Sequence, residues 1–483
     1  MKKCGSMMRL FRIVIVFLVT LLYAQWLFAQ QPVAGRVINR QTQSGIAGVP
    51  VTDGFSIVQT NAKGFYSLVR HPAAQFVYIT IPAGYAIPAE KFLPRFYRKL
   101  DGQRTKGYDF LLEKEAVNDD HHLLIVGADP QPASAEAAQK WLEFAGAHFT
   151  PVLQRYPSLP AVGILCGDIV GDQLDLYANH RLAVEKMGFP CFQVLGNHDE
   201  NYEARTDEYS QQGFRDAFGP EYYSFNKGRI HYVVLDDVFY LGRHSWYTGY
   251  LNEQQFAWLE KDLQQVPKGA TVVISLHIPV EYDTTRPAGS AEAMPGDNTL
   301  NNAAHFYKLL SPYKVHVMTG HTHWHQSFEK DNVFHHIHGA ICGAWWDGST
   351  SFDGTPLGFS VYEVKGDSLS WYYQSAGRSR DYQMQLSIDT LRQTVVANVW
   401  NWDDRWKVEW SADGNHWQPM QRYIGYSPVM EAYYKSLPPG RPWMQPVLTA
   451  HLFKAAFDHK TTRVTVKVTD RFGVVYTDTL PVR

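Results

Sequence analysis

The sequence predicts a multidomain α+β chain, with a central α/β unit between two small all-β sandwich domains. Three observations predict it. At 483 residues the chain is too long for one ordinary domain, and length alone suggests about three. Short alternating apolar/polar runs separated by turn residues fill both ends of the chain. Between them, five apolar runs each stop at a metal-ligand residue type. Ile125-Val126 leads into Asp129-Pro130-Gln131, and 162–166 into Gly167-Asp168. The run 192–195 leads into Gly196-Asn197-His198-Asp199, 272–276 into His277, and 315–319 into Gly320-His321-Thr322-His323. Apolar runs bounded by Gly and Pro read as strands of a sheet covered on both faces. Open α/β sheets collect their ligands at the carboxyl ends of such strands. The donors gathered there, carboxylate, carboxamide and imidazole, make up the set of a two-metal hydrolase.

The elements follow in order. Lys2, Lys3, Arg9 and Arg12 precede an apolar stretch at 13–28, and cleavage is expected at Ala29 before Gln30-Gln31-Pro32, with Ala24 as the alternative point and an uncleaved anchor as the alternative reading. Residues 1–29 are therefore expected to be a signal peptide. The mature chain is then exported, periplasmic or extracellular, including the cell surface. No other segment could span a membrane. Only Cys166, Cys191 and Cys342 remain after cleavage. They form no disulfide framework, and Cys166 and Cys191 read as buried small hydrophobes, a bridge being the minority reading. Residues 30–115 read as an N-terminal β-sandwich with strands at 33–38 and 77–81 and turn-then-strand stretches at 45–51 and 60–68. Gly48-Val-Pro-Val and the stretch 60–68 within it resemble transthyretin-like or carboxypeptidase-regulatory-like modules. Residues 116–377 form the central unit. A helix is expected over 135–149 with Ser134 as its cap, and another over 252–263 with Asn252 as its cap. Phe256, Leu259 and Leu263 share the apolar face of the second. His121 and His122 precede the first strand and are expected at the surface. Along the strand after the GHTH motif, alternation sends His336 and His338 to one face and His335 to the other. Residues 378–483 read as a C-terminal β-sandwich.

Composition narrows the function. The formal net charge is -2 and no basic block appears, so nucleic-acid binding is not implied. The 14% aromatic content suits packed β domains as well as a binding surface. No pattern in the sequence specifies an oligomeric state.

The GNHD at 196–199, the GHTH at 320–323 and the preceding Gly167-Asp168, each after a strand, resemble the calcineurin-like metallophosphoesterase superfamily over about 120–345. The β module, phosphoesterase, β module layout resembles its exported bacterial members. The resemblance implies a core of two facing sheets, a β-sandwich flanked by helices, and two divalent metal ions such as Mn, Fe or Zn. It implies Asp168 as bridge, Asp129 and His323 on the first metal, and Asn197, His277 and His321 on the second. A bridging carboxylate lowers the repulsion between two cations. Two dications and two Asp, with a hydroxide between the metals, leave about +1 facing a phosphate. That field favours attack of the metal-bridging hydroxide on phosphorus without a phospho-enzyme. His198 resembles the family's catalytic histidine and would protonate the leaving alkoxide. A carboxylate should hold it charged, and Asp172 and Asp199 are both candidates.

One position departs from the pattern. The usual Asp-x-His reads Asp129-Pro130-Gln131 here, a variant found in some branches of the superfamily. The Gln131 oxygen would be a harder, weaker donor than imidazole, binding the metal directly or through a second layer. Tyr202, Arg205, His244, Trp345 and Trp346 are weaker substrate candidates. An Arg could grip phosphate, and a Trp could stack on a sugar or base as readily as pack in a core. The expected enzyme is an exported metal-dependent phosphohydrolase acting on a phosphate-ester substrate, with monoesters slightly preferred. Two rival readings stay open. One is a phosphodiesterase on nucleotides, phospholipid head groups or cell-wall polymers. The other is an inactive surface-binding protein with a degenerate phosphoesterase fold.

Overall fold

The computed structural model describes residues 32–282, 298–437 and 445–482. The expected signal peptide lies outside them. The described residues form two compact units. One holds the chain up to Ile81 together with Phe96–Lys114, and the other holds Pro82–Arg95 and everything from Glu115 on.

The first unit is a small pair of sheets. Phe65–Val69, Pro32–Asn39 and Phe110–Leu112 make one. Ile57–Gln59, Pro50–Thr52, Phe76–Ile79 and Tyr97–Lys99 make the other. Strict alternation along Pro32–Asn39 buries Val33 and Val37 on one face, as a period of two requires. Gly35 is needed because a Cβ there would lie 2.1 Å from the Tyr108 carbonyl oxygen. The sequence reading placed 82–95 in this domain, but Pro82–Arg95 clusters with the second unit. Leu93 is buried in the second unit's core, and the Cys191 N–H donates to the Phe92 carbonyl at 3.0 Å.

The second unit is built on two sheets. In the first, Cys191–Gln193, Ala161–Leu165 and His121–Gly127 run parallel, followed by the antiparallel Gly358–Lys365 and Ser368–Ser375. In the second, Ile230–Val234, Thr271–Ser275, Lys314–Thr319 and Val333–Ile337 run parallel, with Tyr223–Lys227 and Gln326–Lys330 antiparallel at the edges. Val- and Ile-rich strands buried on both faces suit a parallel sheet. The inner faces meet. Phe192 stacks on Phe225 at 4.1 Å, and the His122 Nε2 and Tyr232 hydroxyl lie 2.6 Å apart.

His122 is therefore not at the surface. The first strand begins at His121, and His122 is fully buried. His336 and His338 face the other sheet, against Trp371 and Tyr362, whereas His335 turns away to Phe328.

The helix Ala135–His148 begins where expected, its Ser134 Oγ accepting the Ala137 N–H. It buries Ala138, Trp141 and Phe144 against Ile125, Leu165 and Val361 of the first sheet. Glu253–Leu263 is capped by Asn252 and buries Trp258, Leu259 and Leu263. Phe256 is only half-buried, because the buried face turns around Trp258. All three described cysteines are free and buried.

Toward the C-terminus two four-stranded sheets enclose a core that includes Val395, Trp406, Phe453, Val464 and Val466. An added helix, Pro428–Ser436, inserts between their strands and buries Met430. No helix among the described residues is long and apolar enough to cross a membrane.

Candidate metal centre and active site

In-register pairing aligns the strand ends. Gly127 sits opposite Leu165, and Leu165 opposite Gln193. In the other sheet Ser275 sits opposite Met318, and Thr319 opposite Ile337. The loops that leave these ends converge, and two groups of metal-ligand atoms form. Asp168, His277 and His321 make one, and Asp129, Asp168 and His323 make the other. Asp168 belongs to both, as a bridge would.

Glycines make the convergence possible. A Cβ on Gly167 would lie 2.2 Å from His277 Nδ1, and one on Gly320 would lie 2.6 Å from Asp129 Oδ2. The functional side chains themselves sit on left-handed backbone. φ is 51° at Asp129, 38° at Gln131, 49° at Asp168, 67° at Asp172, 69° at His321 and 56° at His323. Non-glycine residues rarely adopt this region, and such strain concentrates at functional sites.

The hydrogen bonding around the cluster is that of a cation site. His277 Nδ1 lies 2.9 Å from the Cys166 carbonyl, which requires a proton on Nδ1. The lone pair on Nε2 then faces Asn197 Oδ1 at 3.0 Å, His321 Nδ1 at 3.2 Å and Asp168 Oδ1 at 3.3 Å. These are acceptors crowded on acceptors, which a cation resolves. Without one, protons must do the same work. Burial disfavours a charged His277, yet Asp168 and Asp129 outweigh it and push the ring up to about 10. Burial and the neighbouring His277 push His321 down to about 3. For Asp129 burial is the largest influence and raises its carboxyl. The residues present therefore fit divalent metal.

Gln131 is part of this cluster. Its Nε2 donates to Asp168 Oδ2 at 3.0 Å, and its Oε1 is buried without a partner. A buried oxygen without a hydrogen-bond partner is free to act as a ligand. His323 sets its Nε2 3.5 Å from Asp129 Oδ1, and Asp129 also accepts the His321 N–H at 3.1 Å.

His198 stands beside the cluster, its backbone N–H on Asp168 Oδ1 at 3.0 Å. Its Nδ1 lies 2.7 Å from Asp172 Oδ1. Burial lowers the basicity of His198, but Asp168 and Asp172 outweigh it and the net shift is upward. Asp199 is not the partner. It turns inward and accepts N–H groups from Ile169, Val170 and Gly196, with the Tyr177 hydroxyl as a fourth donor. It ties the Asp168 loop to the GNHD turn.

The substrate candidates divide. Trp345 is half-buried, its ring 6.0 Å from His198 and 5.1 Å from His323. Trp346 is a core residue instead. Its Nε1–H donates to the Pro130 carbonyl at 2.7 Å, and its ring packs on Trp141 and Phe144. The Tyr202 hydroxyl is committed to the Asn197 carbonyl at 2.6 Å. Arg205 and His244 are exposed, and among the described residues neither bonds to the cluster.

Sequence reasoning missed three neighbours. Asp237 is fully buried and accepts the N–H groups of His277 and Ile278 at 3.0 and 3.1 Å. Its place at the end of the strand beside the His277 strand was the available signal. Tyr247 lies 5.8 Å from His321, and Phe352 stacks on His323 at 5.9 Å. Tyr247 opens the short strand Tyr247–Gly249 and Phe352 sits in a turn, and neither carries a local pattern.

Known proteins resemble this arrangement. Family models described as the N terminal of calcineurin-like phosphoesterase, calcineurin-like phosphoesterase, and the C terminal of calcineurin-like phosphoesterase match residues 31–115, 118–325 and 335–476. Purple acid phosphatase 15 of Arabidopsis thaliana is 28% identical over 165 residues, 32% of this chain and 27% of its own length. The chain thus matches little more than a quarter of that relative. The solved purple acid phosphatase from yellow lupin (Lupinus luteus) seeds has 13% identity and a TM-score of 0.37, covering 73% of this chain and 68% of its own. A putative 5'-nucleotidase from Staphylococcus aureus has 14% identity and a TM-score of 0.33, covering 53% of each chain. With family models matching from residue 31 to residue 476 in the order of the fold, the chain belongs to the calcineurin-like phosphoesterases, with that family's N- and C-terminal domains.

Proposed function

We propose that the protein hydrolyses phosphate monoesters outside the cytoplasm with two divalent cations. Asp129, Gln131, Asp168 and His323 would hold the first, and Asp168, Asn197, His277 and His321 the second. The cations, when bound, supply Lewis-acid activation of water and neutralise the phosphoryl oxygens. The protein's own residues do the rest. Asp168, shared by both ligand groups, would hold the two cations together. Asp237 and Asp199 fix the loops that carry His277 and Asn197. Asp172 orients His198 and keeps a proton on Nδ1, so Nε2 can give its proton to the leaving oxygen.

The observation that carries this reading is the crowding of His277 Nε2, Asn197 Oδ1, His321 Nδ1 and Asp168 Oδ1 beside the His198–Asp172 pair. Monoester preference is supported by the Asp-Pro-Gln form of the first motif and by the phosphatase named among the relatives. One observation favours the diester reading as well. No lysine or arginine among the described residues pairs with the cluster, so a dianion gains no extra cation beyond His198. Export is supported by the basic start and apolar stretch at 13–28.

A phosphate-release screen over monoesters and diesters, with metal content measured on the same preparation, tests the activity. Two bound metals with faster monoester turnover are expected. One weak metal and no hydrolysis with added Mn would defeat it. Fractionation of the native host tests export, which fails if the chain stays cytoplasmic at full length.

A further inference from the structure

We infer that Trp345 walls a leaving-group subsite and selects phosphate esters whose alcohol carries a planar apolar face. The inference rests on the proposed hydrolase function. It starts from a strained turn. Gly343, Trp345 and Trp346 have φ of 58°, 58° and 62°, and two adjacent tryptophans in left-handed backbone are outliers. Such a conformation persists only where its surroundings over-determine it.

Two sets of contacts do so here. On one side Trp346 is anchored in the core by its bond to Pro130 and its packing on Trp141, with Lys140 Nζ donating to its carbonyl at 3.2 Å. On the other side the helix Pro428–Ser436 supports the turn. Met430 packs against Ala344, the Thr350 hydroxyl meets Met430 Sδ at 3.6 Å, and the Tyr433 hydroxyl donates to the Asp347 carbonyl. Pinned at both ends, the turn directs Trp345 away from Trp346 and toward the cluster.

There the indole meets His198 nearly edge-to-face, with an interplanar angle of 85°. His198 is the proposed proton donor, so the oxygen it serves is the leaving oxygen. Trp345 flanks His198, so the group carried by that oxygen is expected to lie against its ring. Phe352, stacked on His323, extends the same aromatic side. Among the described residues no lysine or arginine is recorded paired to the cluster, and the indole and phenyl faces offer a flat apolar leaving group a stacking surface.

The test compares two esters of primary alcohols with similar leaving groups, phenethyl phosphate and propyl phosphate, in the metal-loaded full chain. The wild type should favour phenethyl phosphate in kcat/KM. In Trp345→Ala the phenethyl-to-propyl ratio should fall roughly fivefold to tenfold, and Trp345→Phe should retain most of it. An unchanged ratio in a Trp345→Ala protein that melts like wild type overturns the proposal, because the ring would then only support His198. Calorimetric binding of phenethylphosphonate against propylphosphonate gives a readout free of turnover. A Trp345-dependent preference there, without hydrolysis of either ester, would sink the hydrolase reading and leave the subsite standing. Equal binding of the two phosphonates would sink the subsite.

Discussion

His198 Nδ1 lies 2.7 Å from Asp172 Oδ1, and no described residue bonds to His198 Nε2. One ring nitrogen is thus held and the other is left for substrate. His198→Ala should lower kcat by about 10²–10⁴-fold while metal content stays at the wild-type level. Asp172→Asn should lower it less, by about tenfold to a hundredfold. Elemental analysis alongside turnover checks both, and metal lost from His198→Ala would make His198 a ligand.

Asp199 and Asp172 should behave in opposite ways. Asp199 is fully buried with four donors on it, whereas the Asp172 side chain is 54% exposed. Asp199→Ala strands buried N–H groups and should cost about 2–3 kcal/mol of stability. Asp172→Ala should change stability by well under about 1 kcal/mol. Denaturant unfolding of both variants decides it, and equal midpoints would contradict the assignment.

Gln131 tests the altered corner of the site. Gln131→Ala should lower retention of the first cation on dialysis and spare the second. Gln131→His should raise zinc retention, because imidazole is the softer donor. Metal retention that ignores both changes would place Gln131 outside the coordination sphere.

Acid should unfold the protein readily. His122 is pushed down to about 4 and His180 to about 3, in both cases chiefly by burial. His336 is pushed well down by burial and then by His316 and His338. Folded-state values below the unfolded value of about 6.5 mean that the unfolded chain takes up protons first as pH falls. Stability from these groups is complete above about pH 6.5 and is lost toward about pH 4, by up to about 1.4 kcal/mol per pH unit for each histidine. Thermal melts from pH 8 to pH 4 check the slope. A flat profile in that window would mean the histidines protonate without unfolding.

The frame of the site was legible because it is local. A strand and a metal-ligand residue type follow each other within a few residues, so Asp129, Asp168, Asn197, His277, His321 and His323 stand out in order, while their division between two metals came from the family resemblance. The caps Ser134 and Asn252 were legible for the same reason. The partner of His198 was not. Asp199 is the immediate sequence neighbour of His198 and Asp172 lies 26 residues away, yet the distant carboxylate is the partner, and the choice turns on left-handed backbone at Asp172 and on inward N–H groups that no pattern announces. Likewise Trp345 and Trp346 are adjacent and chemically equal, and only their opposite anchoring separates a site wall from a core residue. The helix Pro428–Ser436 escaped because its surroundings are strand-like.

The left-handed backbone beneath Asp129, Gln131, Asp168, His321 and His323 sets a trap for laboratory evolution. Each such residue carries about 1–3 kcal/mol of strain, and glycine at the same position would relieve much of it. A selection for heat tolerance alone, blind to turnover, would therefore favour variants that discard the ligands. Any campaign to toughen this protein should screen for hydrolysis at every round, because its most heat-resistant descendants are expected to be inert.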